Sequence, residues 1–157
     1  MNHQPAADFA DARAGTRFSD WLRARAEPHW SAAVGHRFTA ELSADSLDDA
    51  HFRRYLIQDY AFIETLVGVV GFAVGHAPDM AAKTRLAGFL AALTGDEDDY
   101  FQRAFDALGV GAEERRAPAP APVTAELRRL MLEAAGEGYA ETLAVLLPAE
   151  WIYLSWA

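Results

Sequence analysis

Two carboxylates stand where side-chain packing gives them no reason to be. Asp59 lies three or four residues from Tyr55, Phe62 and Ile63, with Leu66 a turn further, so at helical spacing it shares an apolar face. Glu150 is bracketed in the same way by Leu146, Leu147, Tyr153 and Leu154. A carboxylate in such a stripe costs several kcal/mol unless it is paired or hydrogen-bonded. Asp59 has structural alternatives: a bond from a Tyr or Trp across the core, or from Arg53 or Arg54 through a bend. Glu150 stands two residues past Pro148, whose ring leaves the Ala144 carbonyl without its usual helical partner. Burial raises a carboxyl's pKa, and a raised pKa suits general acid–base chemistry. Two such groups on different helices, among Phe, Tyr and Trp, describe a small pocket for a flat, basic, nitrogen-rich ligand.

Other chemistries are poorly provided for. The chain has no cysteine, which removes thiol nucleophiles, disulfides, zinc–thiolate sites and iron–sulfur clusters. Its five histidines (His3, His29, His36, His51, His76) share no ligand spacing, and the Glu-x-x-His pairs of a di-iron bundle do not occur. His36 and His76 fall at expected helix ends, where capping or dipole contacts account for them. There is no Gly-x-Ser-x-Gly elbow, so neither a metal site nor a hydrolase triad is expected. With 14 Lys and Arg against 23 Asp and Glu, the net charge of −9 disfavours nucleic acid, whose phosphates need a basic face.

The elements that must position these residues are helices. At 157 residues, 52% of them apolar, the chain has the size and core material of one domain. Helical periodicity recurs along it, and no segment alternates like a strand. A first helix starts near Thr16 or Arg17, carries Phe18, Trp21, Leu22 and Trp30, and is bent or broken at Pro28. Ser46-Leu-Asp-Asp49 reads as an N-cap for a long helix to about Val74. Gly68, Gly71 and Gly75 give that helix a smooth stripe suited to close packing. Pro78 starts the next helix, through about Leu93, with Met80, Leu86, Phe89, Leu90 and Leu93 as its stripe. Gly95 then punctuates, and Asp96 caps a helix carrying Tyr100, Phe101, Phe105 and Leu108. The acids Asp96 to Asp99 read as a solvated first turn favoured by the helix dipole. Residues 117–122, alternating Ala and Pro, form a semi-rigid linker. Two helices follow, about Thr124 to Ala135 and Tyr139 onward, the second kinked at Pro148. The longest uncharged apolar run, Thr65 to His76, is shorter than the ~20 residues of a membrane span. Residues 1–15 read as a polar tail without signal-peptide character, so a cytoplasmic protein is expected.

Three segments together carry a resemblance. PHW at 28–30 and VGHRF at 34–38, then ADSLDDAHFRRYLIQDYAFI at 44–63, resemble the TenA family of thiamin-salvage proteins. LLPAEWIYLSWA at 146–157 is similar to that family's leucine-rich helix with Pro followed by Cys or its replacement, then Trp and Tyr. The resemblance covers about Phe18 to Ala157 and implies an all-α, haem-oxygenase-like (TenA-type) helical bundle over 16–157. Because relatives continue with two or three more helices, it also implies that this domain lacks its C-terminal helices.

Residue by residue, the resemblance implies that Asp59 hydrogen-bonds an aminopyrimidine ring, that Phe62 borders it, and that Tyr153 lies near the reactive centre. The thiol position of the thiaminase II branch is Ala149 here, which rules out covalent attack from that position. Glu150 looks like the glutamate of the cysteine-lacking branch, and GDEDDYF at 95–101 looks like an acidic-aromatic element of that branch. The function implied is hydrolysis of amino- or formylamino-methylpyrimidines, with Glu150 and Asp59 as catalytic residues. Phe62, Tyr153 and Trp151 join Asp59 in binding substrate, and no cofactor is needed. Two rivals stand beside it: an aminopyrimidine-binding or regulatory protein without turnover, and an oxidase resembling pyrroloquinoline quinone synthase on the same fold. Four Trp, nine Phe and five Tyr exceed what a small helical core must hold. That excess favours self-association, and the resemblance implies a homodimer or homotetramer, with a small pyrimidine as ligand and neither nucleic acid nor membrane as partner.

Overall fold

Asp48 starts the helix on which the rest of the second half is built. Its carboxylate accepts the backbone N–H groups of Ala50 at 2.9 Å and His51 at 3.4 Å, satisfying two donors that an α-helix leaves free. These bonds hold its carboxyl below the ordinary aspartate range, with the His51 side chain adding to the effect. The structure, a computed structural model, describes residues 15–116 and 119–156. Among the described residues it is all α-helical, with no strand. Its helices are α1 (Phe18–Arg25), α2 (His29–Val34), α3 (Arg37–Ser43), α4 (Asp49–His76), α5 (Met80–Ala92), a π-turn (Leu93–Glu97), α6 (Asp98–Ala107), α7 (Ala112–Arg116), α8 (Pro122–Glu137) and α9 (Tyr139–Leu154). The chain divides into two compact units, one formed by Met1–Asp45 with Ile152–Ala157 and the other by Ser46–Trp151.

In the second unit α4 is the central rod, packed against α5, α6, α7, α8 and the π-turn. Leu56, Leu66, Val69 and Val70 of α4 are nearly or wholly buried, and they meet Phe105 of α6, Met131 of α8 and Leu146 of α9 in one apolar cluster. By length and composition α4 could cross a membrane, since its most apolar window has a mean hydropathy of 1.4. Nine of its residues are buried inside the fold, however, the pattern of a core helix. Lys83 closes the α4–α5 corner by donating to the carbonyls of Val74 at 2.9 Å and Gly75 at 3.0 Å, beside a helix C-terminus that favours positive charge.

The first unit is held by aromatic and cationic contacts. Phe18 stacks on Trp21, Arg25 lies 4.9 Å over the Trp21 ring, and Arg23 lies 5.4 Å over buried Trp30. The chain breaks at Pro28, which is the N-cap of α2. It breaks again at Gly35, after which the His36 ring accepts the Phe38 N–H at 3.1 Å and caps α3.

Several boundaries depart from the sequence pattern for identifiable reasons. The cap expected at Ser46 falls on Asp48, whose side chain reaches two amides of the first turn. Asp79 rather than Pro78 starts α5, accepting the Ala82 N–H at 2.8 Å. Met80, expected in the apolar stripe, is 73% exposed because it sits at the outer corner of that first turn. Gly95 does not stop the helix: the chain winds through it as a π-turn and continues into α6. Of the linker, 117–118 lie outside the described residues, as does the expected tail up to residue 14.

Candidate active site

The π-turn decides what faces the centre of the second unit. Its wider i→i+5 winding keeps residues four apart nearly in line, so Leu93, Glu97, Phe101 and Phe105 share one inward face. Leu93, Phe101 and Phe105 are buried, and Glu97 between them is partly buried. The acids at 96–99 are thus not uniformly a solvated first turn. Glu97 is turned inward, and Asp98 accepts a 2.8 Å hydrogen bond from the Tyr60 hydroxyl.

Three carboxyls are brought together. Burial pushes the Asp59 carboxyl above its ordinary range, while a hydrogen bond from Tyr55, one turn earlier on α4, pulls the other way. Asp59 therefore takes its structural partner from its own helix. Glu97 is raised by burial and then by the charge of Asp59. Glu150 is raised by burial, then by Glu97, then by Asp59. Each group comes from a different element (α4, the π-turn and α9), so tertiary packing assembles the cluster. Like charges that act on one another in this way raise the cost of ionising all three together, and a bound cationic group would relieve it.

Among the other residues expected at the site, Phe62 is partly buried, one turn past Asp59, and packs against the main core. Trp151 follows Glu150 on α9 and is partly buried. Ala149 packs against the core and offers no nucleophile. Tyr153 belongs to the first unit, where it is 43% exposed and its ring meets Trp156 edge-on at 5.0 Å. Glu97 was not singled out among the acids at 96–99. The signal for it was present, because it stands four residues from both Leu93 and Phe101, but a helix stop read at Gly95 hid that spacing. Among the described residues no group of three or more His, Asp and Glu side chains has the arrangement of a metal site. A separate cleft of about 410 Å³ lies beside Arg53, Arg54 and Gln58, and none of the three carboxyls lines it.

The chain was compared with known proteins. The TENA/THI-4/PQQC family profile matches residues 23–157. The aminopyrimidine aminohydrolase of Bacillus subtilis (strain 168) is 27% identical over 138 residues, which is 87% of this chain and 58% of that protein. The aminopyrimidine aminohydrolase of Halalkalibacterium halodurans is 27% identical over 137 residues, 87% of this chain and 61% of that protein. The chain thus spans about three fifths of the length of these curated relatives. Among solved structures, a TenA family transcription regulator from Silicibacter sp. TM1040 superposes with a TM-score of 0.82 at 28% identity, covering 87% of this chain and 61% of that one. A TenA homologue from P. horikoshii OT3 has the same fold, with a TM-score of 0.80 at 23% identity over 88% and 65% of the two chains. The matched span and the helical order agree: the chain belongs to the TENA/THI-4/PQQC family and has the all-α TenA fold.

Proposed function

We propose that this chain carries the site of a thiamin-salvage hydrolase that removes the side-chain amine from an aminomethylpyrimidine by means of partly buried carboxyls. The observation that carries the reading is that Asp59, Glu97 and Glu150, from three elements of the second unit, are all partly withdrawn from solvent, with the charge of Asp59 felt at Glu97 and both charges felt at Glu150. Family membership and the names of the two curated relatives support the substrate class.

Chemically, an aminopyrimidine presents a ring nitrogen and an amino group side by side, a donor–acceptor edge that one carboxyl can engage twice. Asp59 takes that edge, braced by the Tyr55 hydroxyl. Phe62, one turn on, offers a ring face to the heterocycle. Glu150, whose carboxyl holds its proton more tightly than an exposed glutamate, moves a proton between water and the departing amine. With Ala149 at the thiol position, water is the nucleophile on this reading.

The test is incubation of the purified chain with 4-amino-5-aminomethyl-2-methylpyrimidine, with ammonia and the hydroxymethyl product measured together. Stoichiometric release of both supports the hydrolase. Thermal stabilisation by the pyrimidine without product would replace it with a binding role, and neither effect would remove the pyrimidine reading altogether.

A further inference from the structure

Each of two site carboxyls has a neighbour in the chain that is locked to the other's neighbour. Tyr60 follows Asp59 on α4, and Asp98 follows Glu97 where the π-turn enters α6. The Tyr60 hydroxyl donates to Asp98 Oδ1 at 2.8 Å. Gln102, one turn along α6, donates from Nε2 to the Tyr60 oxygen at 3.0 Å and to Asp98 Oδ1 at 3.2 Å. The Gln102 amide is itself oriented by Arg115 Nη1, which donates to its Oε1 at 3.2 Å. The Tyr60 ring is held between Phe101, at 5.2 Å, and Phe105, edge-on at 5.3 Å.

We propose that the Tyr60–Asp98 hydrogen bond, closed by Gln102, is a positioning clamp that fixes how near Glu97 stands to Asp59. This rests on reading the three carboxyls as the active site. A π-turn is a soft place in a helix, because its hydrogen bonds span one residue more than an α-helix needs. Left to itself the segment relaxes toward α-helical winding, which rotates Glu97 away from the inward face. The clamp opposes that rotation at the residue after Glu97 and anchors it to the residue after Asp59. The hydroxyl is suited to this, since desolvation and the Asp98 charge, with Glu64 beyond it, hold its pKa up at about 12 and keep its proton on for donation. The charges facing Glu97 itself are Asp59 from α4 and Glu150 from α9. Tyr60 is a positioning residue in this account: it acts through Glu97.

The test needs no substrate. The full chain, labelled with 13C at Asp and Glu carboxyls, is titrated by NMR, with Glu97→Gln identifying the Glu97 resonance. Tyr60→Phe keeps the ring between Phe101 and Phe105 and removes the hydroxyl, with both its bond to Asp98 and the one it accepts from Gln102. The expected result is a fall of about threefold or more in the proton affinity of Glu97, roughly half a pH unit, as it moves away from Asp59. Gln102→Leu, which removes the amide that closes the clamp without changing any charge beside Glu97, serves as a second variant and is expected to lower it in the same direction, and it decides the question if Tyr60→Phe does not fold. An unchanged Glu97 midpoint in a folded variant overturns the clamp. Absence of turnover in the parent chain would overturn the hydrolase reading instead and leave this titration interpretable.

Discussion

Glu150, on α9, is held above its ordinary pKa first by burial and then by the charge of Glu97, at the end of the π-turn, ahead of that of Asp59. The two glutamates lie 53 positions apart in the chain, and only the packing of separate elements brings them within range. This relationship makes the proposed site a set of three carboxyls rather than the pair visible in the residue pattern.

The coupling has a signature in stability. A carboxyl that binds its proton more tightly folded than unfolded adds stability below its ordinary pKa, and loses it as pH rises through the raised folded value. Glu97→Gln removes one such loss and relieves Glu150. Thermal melts should show the variant equal to the parent near pH 4 and more stable by about 1–2 °C near pH 8, because solvent screens a half-exposed carboxyl and leaves an effect of roughly half a kcal/mol. A gap that closes with rising pH would contradict the electrostatic picture.

Phe105 is fully buried where α6 meets α4, against Tyr60 and Phe101, with the Arg115 guanidinium 5.2 Å over its ring. Phe105→Ala should cost about 3–5 kcal/mol by opening a cavity the helices cannot close. Denaturant unfolding read by circular dichroism measures this. A loss below 1 kcal/mol would mean that the cluster around α4 is not the main core.

Gln58 grips the linker with both ends of its amide. Its Nε2 donates to the Ala119 carbonyl at 3.1 Å, and its Oε1 accepts the Ala121 N–H at 2.7 Å. Gln58→Ala should speed hydrogen exchange at the Ala121 amide by about tenfold, the loss of one hydrogen bond of roughly 1.4 kcal/mol. Unchanged exchange would show that the start of α8 is held some other way.

Much of this was legible before the fold was known, for a reason rooted in period. Asp59 and Glu150 sit in regular α-helix, where residues three and four apart share a face, so their misplacement among apolar neighbours shows in the sequence. Glu97 sits in a π-turn, and Gly95 two residues before it has the chemistry of a helix stop. Helix caps were displaced by one or two residues wherever an aspartate lay nearby, as at Asp48 and Asp79, because cap choice depends on which side chain reaches the free amides. The Gln58 grip joins residues 61 and 63 apart, a separation that no local pattern encodes.

The central claim, that partly buried carboxyls perform the hydrolysis, is tested most directly by turnover of 4-amino-5-aminomethyl-2-methylpyrimidine in Asp59→Asn and Glu150→Gln beside the parent chain, with ammonia release as the readout and circular dichroism confirming the fold. Loss of a positioned proton-transfer group typically costs about 10²–10⁴-fold, so each folded variant should fall at least a hundredfold below the parent. Turnover retained by both folded variants would contradict the account.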